Sequence, residues 1–283
     1  FEFQDTEDQA NGTSELLFDL NSGLPMDRLI CGDVGFGKTE VALRGAFNVA
    51  MSGAQVAFIV PTTLLCSQHY ENFTKRFKNF PLKVDQISRL NSTSENNKII
   101  ERINSGESDV VVGTHALLNS KIKFKKLGML IIDEEQHFGV SQKEKIKSLR
   151  SNVHVLALTA TPIPRTLQMS LVGLRDLSII STAPLNRQNI NTEVIDFNDE
   201  KIISAIEYEL SRNGQVYYVC PRINELKEVE DFLKSKLPNV KYQIAHGQMP
   251  SKNLKNTMID FYNNEFQLLP VSYTHLTLPT IRW

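Results

Sequence analysis

The amino-acid sequence predicts an α/β fold, a parallel sheet with flanking helices built around a phosphate-binding loop, followed by a shorter second unit of the same kind. Three observations carry this. Gly32 to Thr39 reads Gly-Asp-Val-Gly-Phe-Gly-Lys-Thr, that is Gly, four free positions, then Gly-Lys-Thr, between a β-prone run and a helix-competent one. Short apolar runs alternate with helical stretches along most of the chain. The rhythm breaks near Ala183-Pro184 and then restarts.

At 283 residues, 41% hydrophobic and 22% charged, the chain has globular composition and room for one large or two ordinary domains. A net charge of −1 gives no overall electrostatic argument for nucleic acid, so any such reading rests on local chemistry. Cys31, Cys66 and Cys220 lie far apart with no Cys-x-x-Cys or Cys/His spacing, which suits a reducing compartment and argues against disulfides or structural zinc. A cytoplasmic location is expected. No apolar run approaches the ~18 residues of a membrane span, and the acidic, polar start is no signal peptide, so no membrane partner is expected. The chain opens on Phe1 without Met and is expected to be a piece of something longer.

In chain order, Phe1 to Gln9 leads into a helix-compatible stretch ending near Leu20 and a turn at Asn21 to Pro25. The Gln9 amide offers both the donor and the acceptor that an adenine edge requires. The β-prone run Arg28 to Cys31 precedes the glycine loop, and the helix-competent run Glu40 to Met51 follows it. Gly32, Gly35 and Gly37 allow a turn tight enough to aim backbone N–H groups at phosphates ahead of a helix dipole that favours anions. Lys38 carries a cation to the phosphates, and the Thr39 hydroxyl is a Mg²⁺ ligand in such loops. These residues point to ATP.

Strands are expected at Val56 to Val60, Val84 to Ile87, Val110 to Val112, Met129 to Ile132 and Val153 to Leu158, with helices at Thr63 to Lys78, Ser94 to Asn104 and Gln142 to Leu149. Runs such as Leu130-Ile131-Ile132 read as strands buried on both faces, as open α/β sheets require. Ligands gather beyond the carboxyl ends of such strands. There stand Asp133 and Glu134, the first suited to holding Mg²⁺ and the second to polarising an attacking water, with Gln136 placed to sense the terminal phosphate. Other strand ends carry Pro61-Thr62-Thr63 with Gln68 and His69 one turn on, Gly113-Thr114-His115, and Thr159-Ala160-Thr161-Pro162. Their small hydroxyl residues and free N–H groups suit nucleic-acid phosphates, which need positioning donors and no sequence reading. After the break come strands Thr192 to Ile195, Gln215 to Val219 and Tyr242 to Ala245, with helices Glu200 to Leu210, Glu225 to Lys236 and Ser251 to Tyr262. His246-Gly247-Gln248 closes one of those strands as a further phosphate-suited loop. From Gln267 to Trp283 neither helical nor alternating pattern is found.

Taken together, the chain resembles the superfamily-two helicases of DEAD/DEAH type, in their RecG-like branch, from Phe1 to about Phe266. The resemblance is carried by Phe3, Thr6 and Gln9, by Cys31 to Ala42, by Pro61 to Leu65 with Gln68, His69 and Tyr70, and by Gly113 to His115. It continues through Asp133 to Gln136 with Phe138 to Val140, Thr159 to Leu167, Gly173 to Ser178 and Gln215 to Val219. It implies an ATP-binding RecA-like lobe over residues 1–183 and part of a second RecA-like lobe over 184–266. The nucleotide site so implied takes in Phe3, Gln9 and the run Gly32, Asp33, Val34, Gly35, Phe36, Gly37, Lys38, Thr39, Glu40. The chemistry falls to Lys38, Asp133, Glu134 and Gln136, with Mg²⁺ on Thr39 and Asp133. Thr62, Thr63, Gln68, Gly113, Thr114, His115, Thr159, Thr161 and His246 are the implied DNA contacts.

Such a motor hydrolyses ATP and walks on double-stranded DNA, in one member displacing a stalled RNA polymerase and recruiting excision-repair proteins through regions absent here. A branched-DNA helicase is the alternative within the family. For the chain alone, a module that holds nucleotide and DNA without turnover is the other. Beyond Phe266 the family pattern requires another strand, a Thr-rich loop and a helix-borne arginine finger. None is evident, and 267–283 is read as a non-native tail.

Overall fold

The computed structural model describes residues 4–88, 91–135, 138–139, 142, 144, 146, 152–160, 175–184 and 190–272, with the side chains of 251, 252 and 255 left aside. Two compact units divide between residues 188 and 189.

The first unit is a seven-stranded sheet in the order β3-β4-β2-β5-β6-β1-β7, every neighbouring pair parallel. Its strands are β1 (Asp27–Gly32), β2 (Gln55–Ile59), β3 (Val84–Ile87), β4 (Val110–Gly113), β5 (Leu127–Asp133), β6 (His154–Thr159) and β7 (Asp176–Ile180). Successive side chains of a strand point to opposite faces, so a sheet covered on both sides buries consecutive apolar residues. Accordingly Val56, Phe58, Met129, Ile131, Leu156 and Leu158 join one core cluster, while Ala57, Ile59, Leu130, Ile132 and Val155 join the other. Helices α1 (Glu7–Leu20), α2 (Lys38–Met51) and α3 (Thr63–Phe77) contribute Leu16, Leu43 and Phe73 to the first cluster, and α4 (Thr93–Ser105) contributes Ile99 and Ile103 to the second. Of the expected helix Gln142 to Leu149, the described residues Gln142, Glu144 and Ile146 are helical.

α1 and α4 both start on capping boxes, Thr6 with Gln9 and Ser92 with Glu95, in which each partner satisfies the other's backbone N–H. α4 ends at Gly106 with φ 83°, in the left-handed cap position. Arg28 on β1 is buried and donates to Asp19 at 2.6 Å, Glu15 at 2.9 Å and Ser178 at 2.7 Å, tying α1 to β1 and β7.

The second unit comprises α5 (Asp199–Ser211), β8 (Val216–Cys220), α6 (Glu225–Lys236), α7 (Ser251–Tyr262) and β9 (Leu268–Ser272). β8 and β9 pair in parallel over a small core of Ile206, Cys220, Leu226, Leu233 and Leu268.

Four elements depart from the sequence reading. Leu268–Ser272 forms the fully buried strand β9 where no strand was expected, because burial on both faces leaves no alternation to read. Thr192 to Ile195 has strand composition but no strand assignment, with Val194 exposed, since pattern cannot supply a pairing partner. Tyr242 to Ala245 makes only isolated bridges, Tyr242 to Leu268 and Ala245 to Val271. β7 was not expected at all: it opens on Asp176 and, as an edge strand, leaves Ile179 exposed. Among the described residues no helix is long and apolar enough to cross a membrane.

Phe58, Phe73 and Phe77 form an edge-to-face chain with ring centroids 5.3 and 5.5 Å apart, all three buried. Phe73→Ala is expected to cost about 3–5 kcal/mol, the range for truncating a buried aromatic. The check is the urea-unfolding free energy, and a loss below ~1 kcal/mol would mean the site closes over the cavity.

Candidate functional site

The site begins where β1 runs out. Gly32 lies so close to β7 that a Cβ there would meet the Ile180 carbonyl oxygen at 2.7 Å. The loop then turns through Asp33, whose carboxylate accepts from Val34 N at 2.8 Å, and whose carbonyl accepts from Phe36 N at 3.2 Å. Gly37 has φ 84°, and a Cβ there would strike Gln9 Nε2 at 2.3 Å, so both backbone and space require glycine. α2 follows with no side-chain cap, leaving first-turn N–H groups directed at the loop.

Lys38 Nζ folds over this loop and donates to the carbonyls of Gly32 at 2.7 Å and Asp33 at 3.0 Å. Burial lowers its proton affinity, while the charges of Glu134 and Asp133 act in the opposite sense. A partly buried cation thus faces two carboxylates across the turn. Thr39 is half-buried beside it. Burial also pushes the Cys31 thiol upward.

β5 delivers the carboxylates. Asp133 is level with Leu158 of β6, and the chain then turns sharply, Glu134 adopting φ 54°. Glu134 N donates to Leu158 O at 2.9 Å, and its buried carboxylate accepts from Ala160 N at 3.3 Å and Thr159 Oγ1 at 3.4 Å. Glu135 is ion-paired to the buried Arg175, which also meets Asp27.

Gln9 is buried and its amide is engaged inside the protein: Oε1 accepts from Thr6 N at 3.1 Å and Nε2 donates to Phe36 O at 2.8 Å. It therefore holds the phosphate loop directly, and each end of the amide retains one further hydrogen-bonding position. Glu40 was expected at the nucleotide. Its side chain instead pairs with Arg76 of α3 and, at 3.6 Å, with Arg44, which reaches Asp5 at 2.6 Å.

Sheet register puts the expected phosphate loops on one edge, Gly113 and Ile132 both lying beside Ile59. Thr62 caps α3, accepting from Leu65 N at 3.3 Å, and Gln68 and His115 are exposed. Thr114 is buried, capping the 3₁₀ turn His115–Leu118, and Thr159 is buried with its hydroxyl on Glu134, so neither hydroxyl faces outward. Gly113 cannot accept a side chain, since a Cβ would meet Leu117 at 2.6 Å. His246 belongs to the second unit, where its carbonyl accepts from Met249 N at 3.1 Å. Phe3, Gln136 and Thr161 lie outside the described residues.

Sequence reasoning grouped His69 with the phosphate-suited loop at Thr62 and gave it no part in the nucleotide site, yet its Nε2 lies 3.6 Å from Asp133 Oδ2. It also missed Asp8, whose Oδ2 accepts from Ser181 N at 2.9 Å, Ser181 Oγ at 2.8 Å, Thr182 N at 2.8 Å and Thr182 Oγ1 at 2.8 Å. His69 carried a faint signal, a histidine two turns into a helix that starts at a strand end. Asp8 carried none, because its partners are remote in sequence.

With this geometry in place, comparison with known proteins defines the class. Residues 6–170 match the DEAD/DEAH box helicase family and residues 199–276 match the helicase conserved C-terminal domain. The chain belongs to the DEAD/DEAH box helicases, and its motor core is of the superfamily-two kind. It is 50% identical over 269 residues to the transcription-repair-coupling factor of Staphylococcus haemolyticus, covering 95% of this chain and 23% of that protein. Against the transcription-repair-coupling factor of Rickettsia bellii it is 50% identical over 273 residues, covering 95% and 24%. The chain thus spans about a quarter of the length of these relatives. Among solved structures, RecG bound to a three-way DNA junction superposes with a TM-score of 0.74 at 31% identity, covering 96% of this chain and 36% of that one. Mycobacterium smegmatis helicase Lhr bound to ssDNA and AMP-PNP gives 0.65 at 17% identity, covering 96% and 40%, a likeness of fold alone.

The four hydrogen bonds to Asp8 lower its carboxyl to about 2, the Thr182 hydroxyl having the largest effect and the Ser181 hydroxyl the next. A folded-state value below the ordinary 3.8 stabilises the protein above that pH, and the contribution is lost as pH falls through about 2. The gap in urea midpoint between parent and Asp8→Ala is therefore expected to hold constant from neutral pH to about 5 and to close toward pH 2. A gap that does not change with pH would show that the carboxylate charge is not what the clasp uses.

Proposed function

We propose that this chain binds Mg·ATP at the Gly32–Thr39 loop, hydrolyses it, and uses the cycle to move on double-stranded DNA. The observation that carries the reading is the sheet register, which ends β1, whose loop Lys38 bonds, level with β6 and β6 level with Asp133. The loop suits a phosphate chain: its lysine already bonds two carbonyl oxygens, and the uncapped N-terminus of α2 adds backbone donors. For Mg²⁺, among the described residues no group of three or more His, Cys, Asp or Glu could hold a metal. A cation that keeps mostly water and phosphate oxygens needs no such cage, and the Thr39 hydroxyl with the Asp133 carboxylate fits that demand. When bound, Mg²⁺ supplies charge neutralisation for the transferring phosphoryl group. Glu134, held by Ala160 N and Thr159, orients the attacking water, and Gln136 is assigned to the terminal phosphate on sequence grounds. The remaining positions of Gln9, with Phe3 nearby in sequence, receive the adenine.

The loops at Thr62, Thr63, Gln68, Gly113, Thr114 and His115, with Thr161 and His246, grip DNA through its phosphates, the buried Thr114 acting through the turn it caps. The Thr159 hydroxyl is engaged with Glu134, so a DNA contact there falls to the backbone of its loop. Residues 1–183 make the ATP-binding lobe and 184–266 part of the C-terminal lobe; the foreign tail, read from sequence as 267–283, is narrowed to the residues past the family match, 277–283, because Leu268–Ser272 pairs with β8 inside that lobe. The likeness to transcription-repair-coupling factors supports a role in freeing stalled RNA polymerase and recruiting excision repair, exerted by the longer protein. A cytoplasmic setting agrees with three free cysteines.

Lys38→Ala is expected to lose at least tenfold in nucleotide affinity, whereas Glu134→Gln is expected to keep binding and lose hydrolysis by about 10²-fold or more in the intact protein. Unchanged nucleotide titration in Lys38→Ala, or normal turnover in Glu134→Gln, would sink the assignment. DNA affinity is expected to fall steeply and log-linearly with salt and to ignore base sequence. A strong preference for one duplex sequence at fixed length would count against a backbone grip.

A further inference from the structure

α3 is fixed to the nucleotide site by two side chains of one face, His69 and Arg76, two helical turns apart. His69 is buried, its ring lying 4.8 Å from that of Phe58 at 37°, and its Nε2 stands 3.6 Å from Asp133 Oδ2. Among the described residues Asp133 is its polar contact. Arg76, with 7% of its side chain exposed, pairs with Glu40, the neighbour of Thr39. One helix therefore touches the strand end that carries Asp133 and the helix turn that carries Thr39.

We propose that His69 is a positioning residue for Asp133, and that α3, through His69 and Arg76, braces the Asp133 carboxylate against the Thr39 turn. The inference rests on the reading of Thr39 and Asp133 as the Mg²⁺ pair. An apolar side chain would fill the space beside Phe58 without the cost of desolvating an imidazole, so packing alone does not account for histidine here. The 3.6 Å separation is beyond a good hydrogen bond, and it sets the ring nitrogen beside the carboxylate in a largely buried setting. Phe58 fixes the ring plane, and the ring restricts where Oδ2 can go. A metal-binding carboxylate oriented by such a neighbour keeps its other oxygen for the cation and its water shell. Groups of this kind affect metal affinity by ~10–100-fold when removed.

The test uses the whole chain and a fluorescent, non-hydrolysable ATP analogue, titrated with and without Mg²⁺. In the parent, Mg²⁺ is expected to tighten binding. His69→Phe, which keeps the ring beside Phe58, is expected to reduce that Mg²⁺-dependent gain by about tenfold while leaving Mg²⁺-free affinity within about twofold. His69→Gln, which returns an amide nitrogen near the position of Nε2, is expected to recover most of the gain. Equal gains in parent and His69→Phe would overturn the proposal, and so would equal losses in His69→Phe and His69→Gln, which would mean that ring shape and not polarity matters. A loss of Mg²⁺-free affinity in His69→Phe would reassign the residue to folding. If the parent itself binds no analogue, the nucleotide-site reading fails first, an outcome distinguishable because all three proteins then behave alike.

Discussion

Parallel pairing of β5, β6 and β1 is the constraint on which the site depends. Asp133 lies beside Leu158, and Thr159 beside Cys31, so β1 ends level with strands that come a hundred or more residues later in the chain. Each strand must return to the same edge through a crossover, and this places every functional turn on one side. A slip of one residue between β6 and β5 would exchange the two buried faces of β6 and move Ala160 away from Glu134.

The charges behind that edge are arranged as braces. Arg28 holds Glu15 and Asp19, Arg175 holds Asp27 and Glu135, and Arg44 with Arg76 joins Asp5 to Glu40. Each arginine is largely buried, where a guanidinium without a partner is strongly unfavourable, so each pair restricts how its elements can sit. In this way α1 is referenced to the sheet, and α2 to α3, by directional contacts that an apolar core alone does not provide. The clasp of Asp8 on Ser181 and Thr182 adds the C-terminal end of β7 to the set.

What the sequence makes legible follows from the range of the interactions. The glycine loop and the Asp133-Glu134 pair are contiguous signals, each with its own strand, and the register ends both strands on one sheet edge with β6 between them. The buried strands of the first sheet were readable from runs of apolar residues. Pairing was not: Thr192 to Ile195 looks like a strand, while Leu268 to Ser272, which forms one, shows no alternation. Glu40 illustrates a different limit. It stands next to the loop in sequence, but its partner Arg76 is on another helix, and no local pattern reveals that commitment. The same holds for His69, Asp8 and Thr159, whose roles are set by residues that only the fold brings near.

The backbone at Glu134 has one more implication. A left-handed φ of 54° costs a residue with a Cβ about 1–2 kcal/mol relative to the ordinary regions, and glycine would relieve it. At this position comfort of the main chain and possession of a carboxylate are mutually exclusive. Glycine would ease the torsion but would delete the bonds that the carboxylate accepts from Ala160 and Thr159. Thermostabilisation schemes that replace non-glycine residues at positive φ would take this site for a defect and remove a carboxylate that is buried against Ala160 and Thr159.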